Sequence, residues 1–149
     1  MDDRSGTETE PTATGGTAMS PREILERHRT VAVVGASPDP WRPSNSILQD
    51  LLVHGYRAFP VHPEATEIHG QPVHADLASI GEPVELVVLF RNPDAVPEHV
   101  EEALEIGAQA IWMQPGAVNE AAATRARDAG VPVVAGACVA RELARSGRD

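Results

Sequence analysis

Short β-branched runs recur along the chain, each separated from the next by a stretch with helical spacing, and few folds accommodate that alternation. The runs fall at residues 31–34, 56–61, 86–90, 110–113 and 131–134. Most are continuously apolar, as in Val31-Ala32-Val33-Val34, which is the pattern of strands covered on both faces. Five parallel strands with right-handed helical crossovers are therefore expected. They would form an open, doubly wound, Rossmann-like sheet in a three-layer α/β/α arrangement.

The intervening segments carry helix signals of their own. Ser20-Pro21-Arg22-Glu23 reads as a capping box that opens a first helix with Ile24 and Leu25 turned inward. Ser44 is read as the cap of a helix that buries Ile47, Leu48, Leu51 and Leu52 and stops at His54-Gly55. Val96, Val100, Ala103 and Leu104 share one helical face before Gly107, and Asn119 caps an alanine-rich helix ending at Gly130. The connection over residues 63–83 fits the scheme least well. Within it, residues 67–73 read as a hairpin-like excursion, and Asp76 as the cap of a single turn from Leu77 to Ile80.

A length of 149 residues makes one domain, expected over residues 20–149. With two Trp, one Tyr and two Phe, its core must be aliphatic. Residues 1–19 have almost no large apolar side chain to offset the entropy of ordering and are expected to form a disordered acidic tail. The excess of 22 acidic over 12 basic residues, a formal charge of −10, argues against nucleic acid as a partner. Any anionic ligand must then be held locally, by backbone donors and one or two arginines. The lone Cys138 cannot form an internal disulfide, no apolar stretch of about 20 residues spans a membrane, and no signal peptide is visible at the N-terminus. Cytoplasmic residence is the expectation.

Parallel open sheets bind ligands beyond the carboxyl ends of their strands, where the strand order reverses. The loop after the first strand is the most informative there. Gly35 permits a sharp turn and close backbone approach, Ser37 offers a hydroxyl, and Arg42 with Ser44, Asn45 and the free amides of the next helix makes an anion site. Gly35-Ala36-Ser37-Pro38-Asp39-Pro40 lacks the G-x-G-x-x-G of an ordinary dinucleotide dehydrogenase. On spacing alone, the same residues also fit a proline-stiffened turn that caps a helix.

Taken in order, Val33-Val34-Gly35-Ala36-Ser37-Pro38, Arg42-Pro43-Ser44, Gly55-Tyr56-Arg57, Val61-His62-Pro63, Leu89-Phe90-Arg91, Gly107-Ala108, Gln114-Pro115-Gly116 and Gly130-Val131 resemble the stand-alone CoA-binding domain family. That family is in turn similar to the N-terminal domain of the succinyl-CoA synthetase α subunit. The resemblance runs from Val31 to Cys138. It implies that Gly35, Ala36 and Ser37, with Arg42 and Ser44, cradle the phosphates of coenzyme A. It also implies His62 and Pro63 near the nucleotide, Phe90, Arg91 and Asn92 over the adenine or pantetheine, and Gln114, Pro115 and Gly116 facing the crevice. Where the family often carries a lysine after the second strand this chain has Glu64-Ala65-Thr66, and where an arginine commonly precedes the cysteine it has Gly136-Ala137.

Several individual residues admit more than one role. Cys138 reads more readily as a small buried hydrophobe than as a nucleophile or a partner for the CoA thiol. His62, His69, His74 and Cys138 match no zinc spacing, so no metal is expected. Glu101 and Glu102 fall on the polar side of their helix, Trp112 belongs to the core, and a structural ion pair would account for Arg91 as easily as a ligand. No Ser–His–Asp order or Walker lysine is present, so the expectation is a CoA- or acyl-CoA-binding module, non-catalytic or regulatory. Another adenine nucleotide such as NAD, or a protein partner with a vestigial pocket, are the alternatives.

Overall fold

The computed structural model describes residues 19–64 and 66–145. Of the expected tail, residues 1–18 lie outside this range, whereas Met19 packs half-buried against the core. Helix α1 (Pro21–Arg27) opens on the capping box: the Ser20 hydroxyl accepts from the Glu23 amide at 3.1 Å, and the Glu23 carboxylate accepts from the Ser20 amide at 3.0 Å. Strand β1 (Thr30–Val34), helix α2 (Pro43–Val53) and strand β2 (Arg57–Val61) follow. A small antiparallel hairpin, β3 (Glu67–Ile68) with β4 (Gln71–Pro72), and a 3₁₀ turn over Ala78–Ile80 come next. The chain then runs through β5 (Leu86–Leu89), α3 (Val96–Glu105), β6 (Ala110–Met113), α4 (Glu120–Asp128), β7 (Val133–Ala135) and α5 (Val139–Arg145).

Five strands form one parallel sheet in the order β2-β1-β5-β6-β7, the doubly wound arrangement read from the sequence. Successive residues of each strand enter opposite cores. Ala32, Val34, Val87, Leu89, Ile111 and Met113 meet Val96, Val100 and Ala103 of α3 and Ala122, Ala123 and Ala126 of α4. On the other face Val31, Val33, Leu86, Val88, Ala110 and Trp112 meet α1, α2 and α5 through Leu25, Leu48, Leu51, Val139 and Leu143. Each Val, Leu or Ile among them contributes about 1.5–3 kcal/mol on burial. Trp112 is fully buried, and its indole N–H donates to Ala137 O at 2.7 Å.

Several local expectations change. Ser44 does not cap α2: the cap position is Arg42, because Pro43 with its fixed φ takes the first helical position and leaves Ser44 inside the first turn, buried. β2 starts at Arg57 rather than Tyr56, whose side chain is buried with its hydroxyl donating to Leu25 O at 2.7 Å. The last strand lies at 133–135, not 131–134, and α5 was not anticipated. The hairpin and the Asn119 cap are as read, whereas the 3₁₀ turn begins one residue later than expected, with Leu77 at its cap position and the Asp76 carboxylate accepting from the Ser79 amide.

At the end of the sheet opposite the site, Glu85 clasps the start of β1, accepting from the Arg29 amide at 2.6 Å while its own amide donates to Thr30 Oγ1. The Arg29 N–H favours the ionised carboxylate and holds its pKa below the ordinary 4.5. Its contribution is therefore present above pH 4.5 and is lost as the pH falls through the lowered folded value. Glu85→Gln should lower Tm at pH 7 by no more than about 3 °C, since the group is largely solvated, and the gap to the unmodified chain should close on acidification. Thermal melts across pH 2.5–7 check this; a gap that widens in acid would refute the clasp.

Candidate functional site

The strand order reverses between β1 and β5, and the loops leaving these two strands bound the site. Gly35 follows β1 with φ +86°, and its amide donates to Val61 O at 3.0 Å. A Cβ at this position would lie 2.2 Å from Phe90 O, so the two loops approach in a way only glycine allows. The next residues fold back on themselves. Ser37 Oγ accepts from the Asp39 amide at 3.1 Å, Asp39 Oδ1 accepts from the Trp41 amide at 2.9 Å, and Asp39 O accepts from the Arg42 amide at 3.0 Å.

This loop delivers the chain to the first turn of α2, which has no side-chain cap. By contrast Ser20 caps α1 and Asn119 caps α4. The Asn45 side chain, a natural capping group, is turned away: its Nδ2 donates to Ser37 O at 2.8 Å and its Oδ1 lies 2.9 Å from His69 Nε2. His69 Nε2 also lies 3.1 Å from Asn45 O, and since both partners are acceptors, that nitrogen carries the proton. His69 sits at the hairpin tip with φ +51°, the one non-glycine positive φ among the described residues. The hairpin thus braces the loop after β1.

These elements enclose a cleft of about 400 Å³. Of the thirteen residues expected at the site, it is lined by ten: Gly35, Ser37, Arg42, Ser44, His62, Phe90, Arg91, Asn92, Pro115 and Gly116. The other three lie elsewhere. Ala36 is fully buried in the core beneath α2, Gln114 is buried with Oε1 accepting from the Val139 amide at 2.9 Å, and Pro63 lines an adjoining cleft. Pro43 and Ala117 also line the main cleft and were not anticipated, although each is a sequence neighbour of an expected residue.

The adjoining cleft, about 190 Å³, shares Gly35, His62 and Arg91 with the first and adds Asp76, Glu98, His99 and Glu102. Glu102, read from sequence as solvated surface, faces this cleft and pairs with His99 Nδ1 at 2.9 Å, whereas Glu101 pairs with Arg125 on α4. The helical face carrying residues 98 and 102 is polar, and sequence alone gives no sign that it overlooks a ligand edge. Arg42 and the helix amides thus border the main cleft, carboxylates border the adjoining one, and the Arg91 guanidinium lines both.

Among the described residues Arg22, Arg57, Arg125 and Arg145 each have a carboxylate partner, whereas Arg42 and Arg91, like Arg27, Arg29, Arg127 and Arg141, take part in no ion pair; what sets Arg42 and Arg91 apart is that they line the cleft. A structural pairing therefore does not account for Arg91. Two unpaired guanidinium groups beside an uncapped helix start are suited to an anion, through the helix dipole and charge-assisted hydrogen bonds. His62 Nδ1 accepts from the Glu64 amide at 3.0 Å, which leaves Nε2 as the proton-bearing nitrogen. Cys138 is half-buried with no disulfide, and among the described residues no cluster of three or more His, Cys, Asp or Glu could hold a metal ion.

Comparison with known proteins yields a consistent set of relatives. A family model described as a CoA binding domain matches residues 29–144. The uncharacterized protein YneT of Bacillus subtilis is 35% identical over 118 residues, covering 79% of this chain and 87% of that one. An ADP-forming acetate–CoA ligase of Archaeoglobus fulgidus is 34% identical over 80 residues, 54% of this chain but 12% of the ligase. Among solved structures, a hypothetical protein from Pyrococcus horikoshii superposes with a TM-score of 0.81 at 34% identity, covering 89% of this chain and 96% of that one.

Proposed function

Because the chain belongs to the CoA-binding domain family, we propose that the cleft between the loops after β1 and β5 binds coenzyme A or an acyl-CoA. The observation that carries this reading is the uncapped start of α2, opening with Arg42 into a cleft that Arg91 faces from the other side. The residues fit a pyrophosphate. The helix amides and Arg42 would take one phosphate, Arg91 would reach the group from the β5 side, and Gly35 leaves room where a side chain would collide with Phe90 O. The cleft volume lies within the ordinary range for cofactor sites, with the rest of a long ligand running along the surface. Cytoplasmic residence fits the same reading.

Binding rather than turnover is the proposed role. The bound molecule would supply its own thiol or thioester chemistry, and this chain's residues would grip, orient and present it. A partner protein that reads the occupied state is compatible with a regulatory use. The acetate–CoA ligase match covers too little of that enzyme to extend its activity to this chain.

One observation favours a second reading, an adenine nucleotide without a ribose phosphate. Asp76, Glu98 and Glu102 line the cleft beside His62, and the segment after β2 supplies Glu64 rather than a cation. A phosphate placed there would meet three carboxylates, with Arg91 as the one lining arginine among the described residues to oppose them. Calorimetric competition among CoA, dephospho-CoA, NAD and ADP separates the two. A CoA site weakens by about tenfold or more when the 3′-phosphate is removed, whereas the acid-lined alternative binds dephospho-CoA or NAD at least as tightly as CoA. Absence of saturable heat with all four compounds would defeat both.

A further inference from the structure

Trp41 is 91% exposed, although the other aromatic side chains of the described chain are spent on burial: Trp112 is fully buried and Tyr56 and Phe59 nearly so, while Phe90 lines the cleft. An indole left in water forgoes one of the largest apolar gains a side chain can make. Its position is specific. Trp41 immediately precedes Arg42, Pro43 and Ser44, three consecutive wall residues of the main cleft. Its backbone is also fixed, since the Trp41 amide donates to Asp39 Oδ1 at 2.9 Å and the Arg42 amide to Asp39 O at 3.0 Å. A hydrogen-bonded loop therefore carries an exposed indole one residue from the wall of the anion site, although the indole itself lines neither cleft.

We infer that Trp41 is a specificity-determining residue that stacks on the purine of the bound nucleotide. The inference rests on the reading of the cleft as a CoA site and extends it to the ligand's base. A phosphate gripped at the start of α2 lies next to the residue that carries the indole, and a nucleotide's base is one ribose away from its phosphates. A flat aromatic ring at that distance adds affinity for any purine and none for a base-free phosphate ester. The site then has two separable parts, with Arg42 and the helix amides reading phosphate and Trp41 reading the base.

The test compares unmodified protein with Trp41→Ala and Trp41→Phe by calorimetry, using CoA, ADP and 4′-phosphopantetheine as probes. Tryptophan emission is followed in parallel, with buried Trp112 as the internal reference. Trp41→Ala should weaken CoA and ADP by roughly 5- to 100-fold while leaving 4′-phosphopantetheine within about twofold, and Trp41→Phe should recover part of the loss. CoA and ADP should quench emission in the unmodified protein but not in Trp41→Ala. Equal CoA affinity in the unmodified protein and Trp41→Ala, or an equal loss for the base-free probe, overturns the inference while leaving the CoA reading intact. No saturable CoA binding by the unmodified protein removes the parent reading and this one with it.

Discussion

Gly35→Ala is expected to destabilise the protein by roughly 3–5 kcal/mol and to abolish measurable CoA binding. Two costs add. The residue sits at φ +86°, where any side chain is strained by about 1–2 kcal/mol, and the new Cβ would stand 2.2 Å from the backbone oxygen of Phe90. That second contact cannot be relieved by a rotamer change, because its partner is main chain. The loops after β1 and β5 must part, which pulls on the adjacent hydrogen bond from the Phe90 amide to Val34 O at 2.9 Å. A fall in Tm of about 10–20 °C follows for a domain of this size. Differential scanning calorimetry measures it, and a Tm within about 2 °C of the unmodified chain would show that the two loops are not in the close contact described.

The second large effect concerns binding alone. Arg42→Ala and Arg91→Ala should each weaken CoA by roughly 10- to 100-fold, the worth of a charge-assisted hydrogen bond to phosphate. Together they should leave no saturable heat. Neither guanidinium holds a structural partner among the described residues, so thermal stability should stay within about 2 °C. That separation between lost affinity and retained Tm distinguishes a ligand contact from a structural one. Retained CoA affinity in the double variant would refute the anion assignment, whatever became of the fold.

Much of this architecture was legible because strands buried on both faces and amphipathic helices leave different periods in the sequence. What was not legible depended on local geometry. Ala36 was expected at the phosphates, but the left-handed turn at Gly35 breaks the strand's alternation and returns Ala36 to the core that holds Val31 and Val33. Gln114 continues the face of Trp112 and is used inside the fold, accepting from the first amide of α5, a helix that lacks the Ser-Pro capping signal by which the equally short α1 is legible. Ser44 has the composition of a cap, yet a proline one position earlier claims the start of the helix. The acid-lined cleft was missed for a different reason: a polar helical face looks the same in sequence whether it meets bulk water or a crevice.

The brace from His69 through Asn45 to Ser37 ties the anion loop to a hairpin 24 residues beyond Asn45. A contact of that span is closed at a greater entropic cost than the turns on either side of it. Because the brace runs through side chains and not through the ladder of the sheet, the loop can loosen while β1 keeps both of its neighbours.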